Sequence, residues 1–379
     1  QCQAIYRQME QAAEKHEAFS QVEGEAVGDV GEAARRVVEL YRRRLLAVAM
    51  DHLKDGLAEN RDTTEVISRV ETALAVARLA AGDRVGEAKS FVDLLPAIMA
   101  KVQEATEAYK TGKTLGLKTG IPKLDQLTGG LQTGLHILAA EPGAGKTTLC
   151  LQWAREAAAR GIPALFLTFD ETPERLALKT VCAAAELEAK RYAEGRGDLG
   201  KLEAALREHT ERLRALYFIE GAASMTVSQL RARTLQAMAR HEAETAFVVV
   251  DYVQRWAGGR YQGGGEFRHD IGKLIGELRD ELANPLRIPV LAVSSQNRVG
   301  QNNATFLSLA ESSALEYTGD TVMFLVDDEN KDSKKSGGRR LAIPPNRAVK
   351  LVLRKNRFGE QNEVDMIFSP HLGRLREEA

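Results

Sequence analysis

The stretch "LHILAAEPGAGKTTLCLQWA", residues 135–154, limits the possible folds more than any other. A strand-like apolar run passes through a Gly-rich loop and a Lys-Thr-Thr triplet into a helical segment. Such a turn aims backbone N–H groups and the positive end of the helix at one spot, which suits an anion. Glu141, Pro142, Gly143, Ala144, Gly145, Lys146, Thr147 and Thr148 form the candidate phosphate cradle, and Ala140 takes the first place of the pattern, where Gly is more usual. Gly143 and Gly145 let the backbone wrap phosphates, Lys146 can reach the β- and γ-phosphates, and the Thr147 hydroxyl can ligate Mg²⁺. ATP with Mg²⁺ is therefore the expected ligand.

The surrounding pattern gives the fold class. Short β-branched runs ("LHILAA", "ALFLTFD", "AFVVVDYV", "PVLAVSS", "TVMFLV", "AVKLVLR", "EVDMIFS") are separated, early on, by helical stretches such as Thr147–Arg160 and Thr226–Glu242. This is the signature of an α/β domain with a mainly parallel sheet, and the closely spaced last strands predict an antiparallel edge. Residues 1–110 read differently. Stretches such as "RRVVELYRRRLLAVAMDHLKDGL" are helical in pattern, and "SFVDLLPAIMAKVQEATEAYK" puts Leu94, Ile98, Val102 and Ala105 on one stripe that needs a surface to lie on. The character changes in "TGKTLGLKTG", so the expected organisation is a helical N-terminal region over 1–90, a linker helix and connector over 91–118, and the α/β domain over 119–379. Asp327–Asn346 reads as a mobile loop between two strands.

A phosphate loop needs an acidic partner to orient the metal, and Asp251 ends the run "FVVVD", where a buried carboxylate is costly without a cation. Hydrolysis also needs a group to polarise water. Asp170 and Glu171 end the preceding strand; one is the expected base and the other caps the helix that begins near Thr172. Near the chain end, "RKNRFG" leaves a buried-looking strand with three cations and a Gly, either as a solvated turn or as an anion contact.

The formal net charge of −1 excludes a polycation, so any nucleic-acid contact must come from local patches or from an assembled surface. No run is long and apolar enough to suggest a membrane span, and Cys2, Cys150 and Cys182 lack metal-ligand spacing, which predicts free thiols in a reducing cytoplasm. The start on Gln1 rather than Met is what a fragment of a longer chain would show.

With these residues placed, the chain resembles the DnaB family of replicative DNA helicases, RecA-like ring motors. The resemblance runs from Thr119 to the end and rests on "TGIPKLDQLTGGLQTG", "EPGAGKTT", "FDETPERL", "VVVDYVQ", "SSQNR" and "KNRFG". It implies a RecA-like domain, a homo-hexamer, 5′→3′ movement on single-stranded DNA, and primase and a helicase loader as partners. It implies that Lys355 and Arg357 serve the γ-phosphate bound by a neighbouring subunit. The chain departs from the family at three places. Asp170 stands where the family has Glu; Gln296 falls one position late, so that Ser295 or Gln296 takes the γ-phosphate-sensing role; and Ala310, Glu311, Ser312 and Ser313 replace Arg-Glu-Ser-Gly in the DNA-contacting loop. A second candidate grip on DNA is "RWAGGRYQGGGEFRHD", a Gly-rich loop with Arg255, Arg260 and Arg268 for phosphates and Tyr261 and Phe267 for stacking. The alternative reading is a RecA-like ring ATPase, of recombination-mediator or clock type, that binds DNA or protein without processive unwinding.

Overall fold

The computed structural model describes residues 90–260, 267–295, 313–328 and 346–378, with scattered helical positions between 47 and 58. The chain divides into two compact units, 1–98 and 99–379. Most of the N-terminal region and the 329–345 part of the predicted loop lie outside the described residues. Helix α1, Phe91–Thr111, begins where Ser90 and Asp93 hydrogen-bond each other reciprocally, and it buries no residue. Its apolar stripe therefore stands exposed, Val102 at 54% and Ile98 at 42%. Among the described residues, no helix is long and apolar enough to cross a membrane.

One nine-stranded sheet organises the second unit, in the order β3-β2-β4-β5-β1-β6-β7-β8-β9. The strands are β1 Gly134–Ala140, β2 Ala164–Thr168, β3 Leu216–Glu220, β4 Phe247–Asp251, β5 Pro289–Ser295, β6 Thr321–Asp327, β7 Arg347–Asn356, β8 Glu363–Ser369 and β9 Arg374–Glu377. The first six in that order pair in parallel, and β6 through β9 pair antiparallel, which gives the predicted edge.

The continuous apolar runs follow from burial on both faces. On one face Ile137, Leu167, Val250 and Ala292 pack with Leu230, Trp256 and Ile275. On the other, Leu138, Phe166, Val249 and Leu291 pack with Leu149, Trp153 and Leu176. The period of two along each strand thus divides one run between two cores. Helix α2, Lys146–Ala158, and helix α3, Pro173–Ala184, serve the second core; helix α4, Val227–Arg240, opened by a Thr226–Gln229 capping box, serves the first.

The Gly-rich stretch 255–270 corrects the sequence reading. It is not one loop: α5, Val253–Arg260, and α6, Phe267–Glu277, are helices on either side of residues 261–266. The fully buried Trp256, whose indole N–H donates to the Met225 carbonyl at 2.9 Å, holds the first of them in the core.

Candidate functional site

At the carboxyl end of β1 the chain turns through residues 141–145 into α2, with Gly143 and Gly145 at φ of +81° and +105°. Lys146 folds back over the loop, its Nζ donating to the Ala140 and Glu141 carbonyls at 2.5 and 2.9 Å. Burial pushes its ammonium pKa down, against the pull of Asp251. The Thr147 hydroxyl donates to Asp251 Oδ2 at 2.8 Å. Asp251, at the end of β4, is 5% exposed, and burial pushes its carboxyl pKa up. The Thr147 hydrogen bond and Lys146 oppose that push, while Asp170 and Glu171 add to it. The buried Asp251 carboxyl thus faces a neutral hydroxyl and the loop lysine, a setting that suits an arriving cation.

The structure also separates the two candidate bases. The Thr168 hydroxyl donates to the Glu171 carbonyl at 3.0 Å and accepts from the Asp170 and Glu171 amides, which sets the turn after β2. The Glu171 carboxylate is taken up by Lys179, 2.6 Å from each oxygen, and by Arg175 at 3.2 Å. With both oxygens already engaged, that carboxylate is poorly placed to receive an attacking water. Asp170 is exposed, and its contact is Arg255 at 3.5 Å. Arg255, expected on a DNA loop, therefore lies beside the candidate base. Thr172, not Glu171, supplies the cap of α3, by accepting from the Arg175 amide.

Some of the residues that shape the site gave no sequence signal of their own. Gln254 donates to the Ser294 hydroxyl at 2.7 Å and accepts from the Ser295 amide at 3.3 Å, fixing the end of β5 beside Ala140. Arg347 donates to the Gly143 carbonyl at 2.7 Å and lies 5.0 Å from the ring centre of Phe368, and that ring in turn closes on Gly145. The Arg347 contact spans more than two hundred residues of sequence, which hides it from local pattern. Gln296, Glu311 and Ser312 lie outside the described residues, as do the side chains of Arg260, Arg268 and Ser313.

Lys355 and Arg357 are not near this loop. Along β1 the phosphate loop follows Ala140, whereas Thr321, opposite Asn356, pairs with His136. From His136 to Ala140 is about 13 Å along the sheet, and β7 lies two strands, about 10 Å, to the side. The two cations sit at the amino end of the sheet. Lys355 Nζ donates to the Glu316 and Tyr317 carbonyls at 2.6 and 3.0 Å, and Arg357 Nη1 to Asp320 Oδ1 at 2.6 Å. Gly359 has a packing role there, because a Cβ would sit 2.4 Å from the Leu127 carbonyl.

Comparison with known proteins gives the family and the fold. Residues 116–377 match the family described as the DnaB-like helicase C terminal domain. The replicative DNA helicase DnaB of Leifsonia xyli subsp. xyli is 27% identical over 324 residues, covering 83% of this chain and 67% of the relative. That of Geobacillus stearothermophilus is 24% identical over 340 residues, 86% of this chain and 70% of the relative. Two solved structures share the fold at 19% identity. One is a DnaB-like replicative helicase described with its interactions with primase, with a TM-score of 0.68 over 91% of this chain and 78% of that one. The other is the ATPase domain of a second protein, with a TM-score of 0.65 over 77% of this chain and 100% of that one.

Proposed function

The chain belongs to the DnaB-like helicase family as an ATP-dependent replicative DNA helicase, and from that premise we propose that it hydrolyses ATP at a joint between two copies of itself. The observation that carries this reading is the distance between Lys355 and Arg357 and their own phosphate loop, at opposite ends of one sheet. A guanidinium anchored at the amino end cannot reach a γ-phosphate bound beyond Ala140 in the same chain. It can serve the next one.

In this scheme the 141–148 loop binds the phosphates, and Lys146 leaves the Ala140 and Glu141 carbonyls to meet the β- and γ-phosphates. Thr147 and Asp251 are the residues suited to hold Mg²⁺, since a hydroxyl and a buried carboxylate, raised by burial, converge there. The ion would supply charge neutralisation at the phosphates. Asp170 accepts the proton of the attacking water, its carboxylate freer than that of Glu171. As the β,γ-bridging bond breaks, Lys355 and Arg357 of the adjacent copy take up the charge on the departing phosphoryl group, a role worth on the order of 10³–10⁵ in rate in other P-loop enzymes. Arg347 and Phe368 brace the loop against movement.

Single-stranded DNA as the track, movement from 5′ to 3′, a closed hexamer, and contacts with primase and a loader complete the reading. The relatives' names support DNA as the track, and the primase association of the related structure supports primase as a partner. Arg260, Arg268, Glu311, Ser312 and Ser313 are assigned to the DNA grip, and Arg255 to the nucleotide. The test is strand displacement on a forked duplex with a 5′ single-stranded tail. ATP-dependent release of the strand, lost in Lys146→Ala, is the expected result. DNA-stimulated hydrolysis without displacement would return the ring-ATPase alternative.

A further inference from the structure

The amino end of the sheet is more elaborate than a solvated basic turn requires. Asp320, just before β6, is buried, and each of its carboxylate oxygens is engaged. Oδ2 accepts from the Leu135 amide at 2.9 Å. Oδ1 accepts from Arg357 Nη1 at 2.6 Å, with Arg279 Nη2 3.5 Å away. The Asp320 carbonyl also accepts from the Arg357 amide at 3.0 Å, so one residue grips both the main chain and the side chain of Arg357. Gly134 makes room, because a Cβ there would fall 2.5 Å from Oδ2. Arg279 completes the cluster by donating to the Thr318 carbonyl at 3.0 Å, one residue beyond the carbonyls that hold Lys355.

A buried carboxylate carries a large desolvation cost, which several good contacts are needed to offset. Here it confronts two guanidinium groups, one of which, Arg357, is 45% exposed. A guanidinium has five N–H donors in a rigid fork. Asp320 engages Nη1 while nearly half of the side chain stays open to solvent.

We propose that Asp320 is a positioning residue for the reaction: it aims the Arg357 guanidinium at the nucleotide of the neighbouring copy. The proposal rests on the two-copy site described above. Anchoring one edge of the fork removes the rotamer freedom that a long side chain would otherwise lose on reaching the phosphate. Arg279 helps hold the carboxylate in place, and Lys355 is aimed separately by the carbonyls at the end of helix Ser313–Thr318.

The experiment is subunit mixing. Three variants are made in the full chain, Lys146→Ala, Arg357→Ala and Asp320→Asn, with Asp320→Glu as the charge-conserving companion. Asp320→Asn should bind ATP with unchanged KM and lower kcat about tenfold or more, since misplacing a reacting group by about 1 Å is enough to cost on the order of a hundredfold. Mixed with Lys146→Ala subunits under conditions of exchange, it should regain hydrolysis, because its own loop then meets an intact Arg357 from the other protein. Asp320→Glu keeps the charge and an acceptor for Leu135, and should show a smaller kcat loss with the same recovery. That keeps the test open if the amide variant fails to fold. A purely structural role for Asp320 would damage β1 and the loop behind it, so no recovery on mixing would overturn the proposal. So would an unchanged or raised kcat, the latter marking Asp320 as a restraint on Arg357. The Arg357→Ala mixture separates the premises: if it fails to recover with Lys146→Ala, the two-copy site itself falls; if it recovers and Asp320→Asn does not, only the positioning role does.

Discussion

The two ends of the sheet carry charge in opposite states of completion. At the carboxyl end the buried Asp251 carboxylate is met by the Thr147 hydroxyl, and Lys146 is folded onto carbonyls. At the amino end the buried Asp320 carboxylate is met by the guanidinium groups of Arg357 and Arg279. One end is arranged for something that arrives, and the other is arranged before anything does. Catalysis by preorganised charge needs both kinds of site: a receiver whose partners come with the substrate, and a donor whose geometry is already set.

The largest test of this contrast is at the receiver. Lys146→Ala removes the loop's own cation, and hydrolysis should fall to background with ATP affinity sharply reduced, as measured by phosphate release and nucleotide titration. Normal turnover would place the chemistry elsewhere. Next comes the base. Asp170→Asn should retain ATP binding and lose on the order of 10²–10⁴ in kcat, the usual range for a general base. Glu171→Gln, whose carboxylate is already committed to Lys179 and Arg175, should lose far less. The reverse order would give Glu171 the role. A third test probes the rigidity of the donor end. Gly359→Ala forces a methyl against the Leu127 carbonyl and should destabilise the fold by about 1–3 kcal/mol in denaturant titration, the usual cost of overpacking. An unchanged midpoint would mean that this edge yields easily.

The smallest effect concerns pH. Burial raises the Asp251 carboxyl above 3.8, so the folded chain binds that proton more readily than the unfolded chain does. The group therefore favours the fold at low pH, and that stability is lost as pH rises through the shifted value. At neutral pH the ionised carboxylate is a burden on the nucleotide-free protein. Asp251→Asn should raise its melting temperature slightly at pH 7, show no such gain in acid, and abolish hydrolysis. A lower melting temperature at pH 7 would show that the Thr147 hydrogen bond outweighs desolvation.

The receiver was legible in the sequence because its parts are local. A strand, a Gly-rich loop, Lys146, Thr147 and the strand-end acids each follow an apolar run that must be buried on both faces. The donor end was legible only as a basic motif. Asp320, which organises it, precedes an ordinary strand, and its partners Leu135, Arg279 and Arg357 lie at distant points of the chain. Two strands escaped notice for a physical reason. The β3 strand, "LYFIE", is a half-buried edge, and β9, "RLRE", buries only Leu375 among charged neighbours. The glycines around 258–265 suggested one open loop, but Trp256 and Ile271 pin helices on both sides of it. Tertiary burial overrode local propensity there.

Strand β1 carries Leu135, which touches Asp320, near its start and ends at the phosphate loop, so on the proposed two-copy reading one strand sets the distance between what a subunit gives and what it takes. Such a subunit has a head and a tail. Copies joined in this way form a polar row in which each joint completes one site. An open row always leaves one loop without an arginine at one end and one arginine without a loop at the other. Only closure uses every part, so hydrolysis per subunit should depend on whether the seam is shut, and opening the seam would silence one site without touching any of its own atoms.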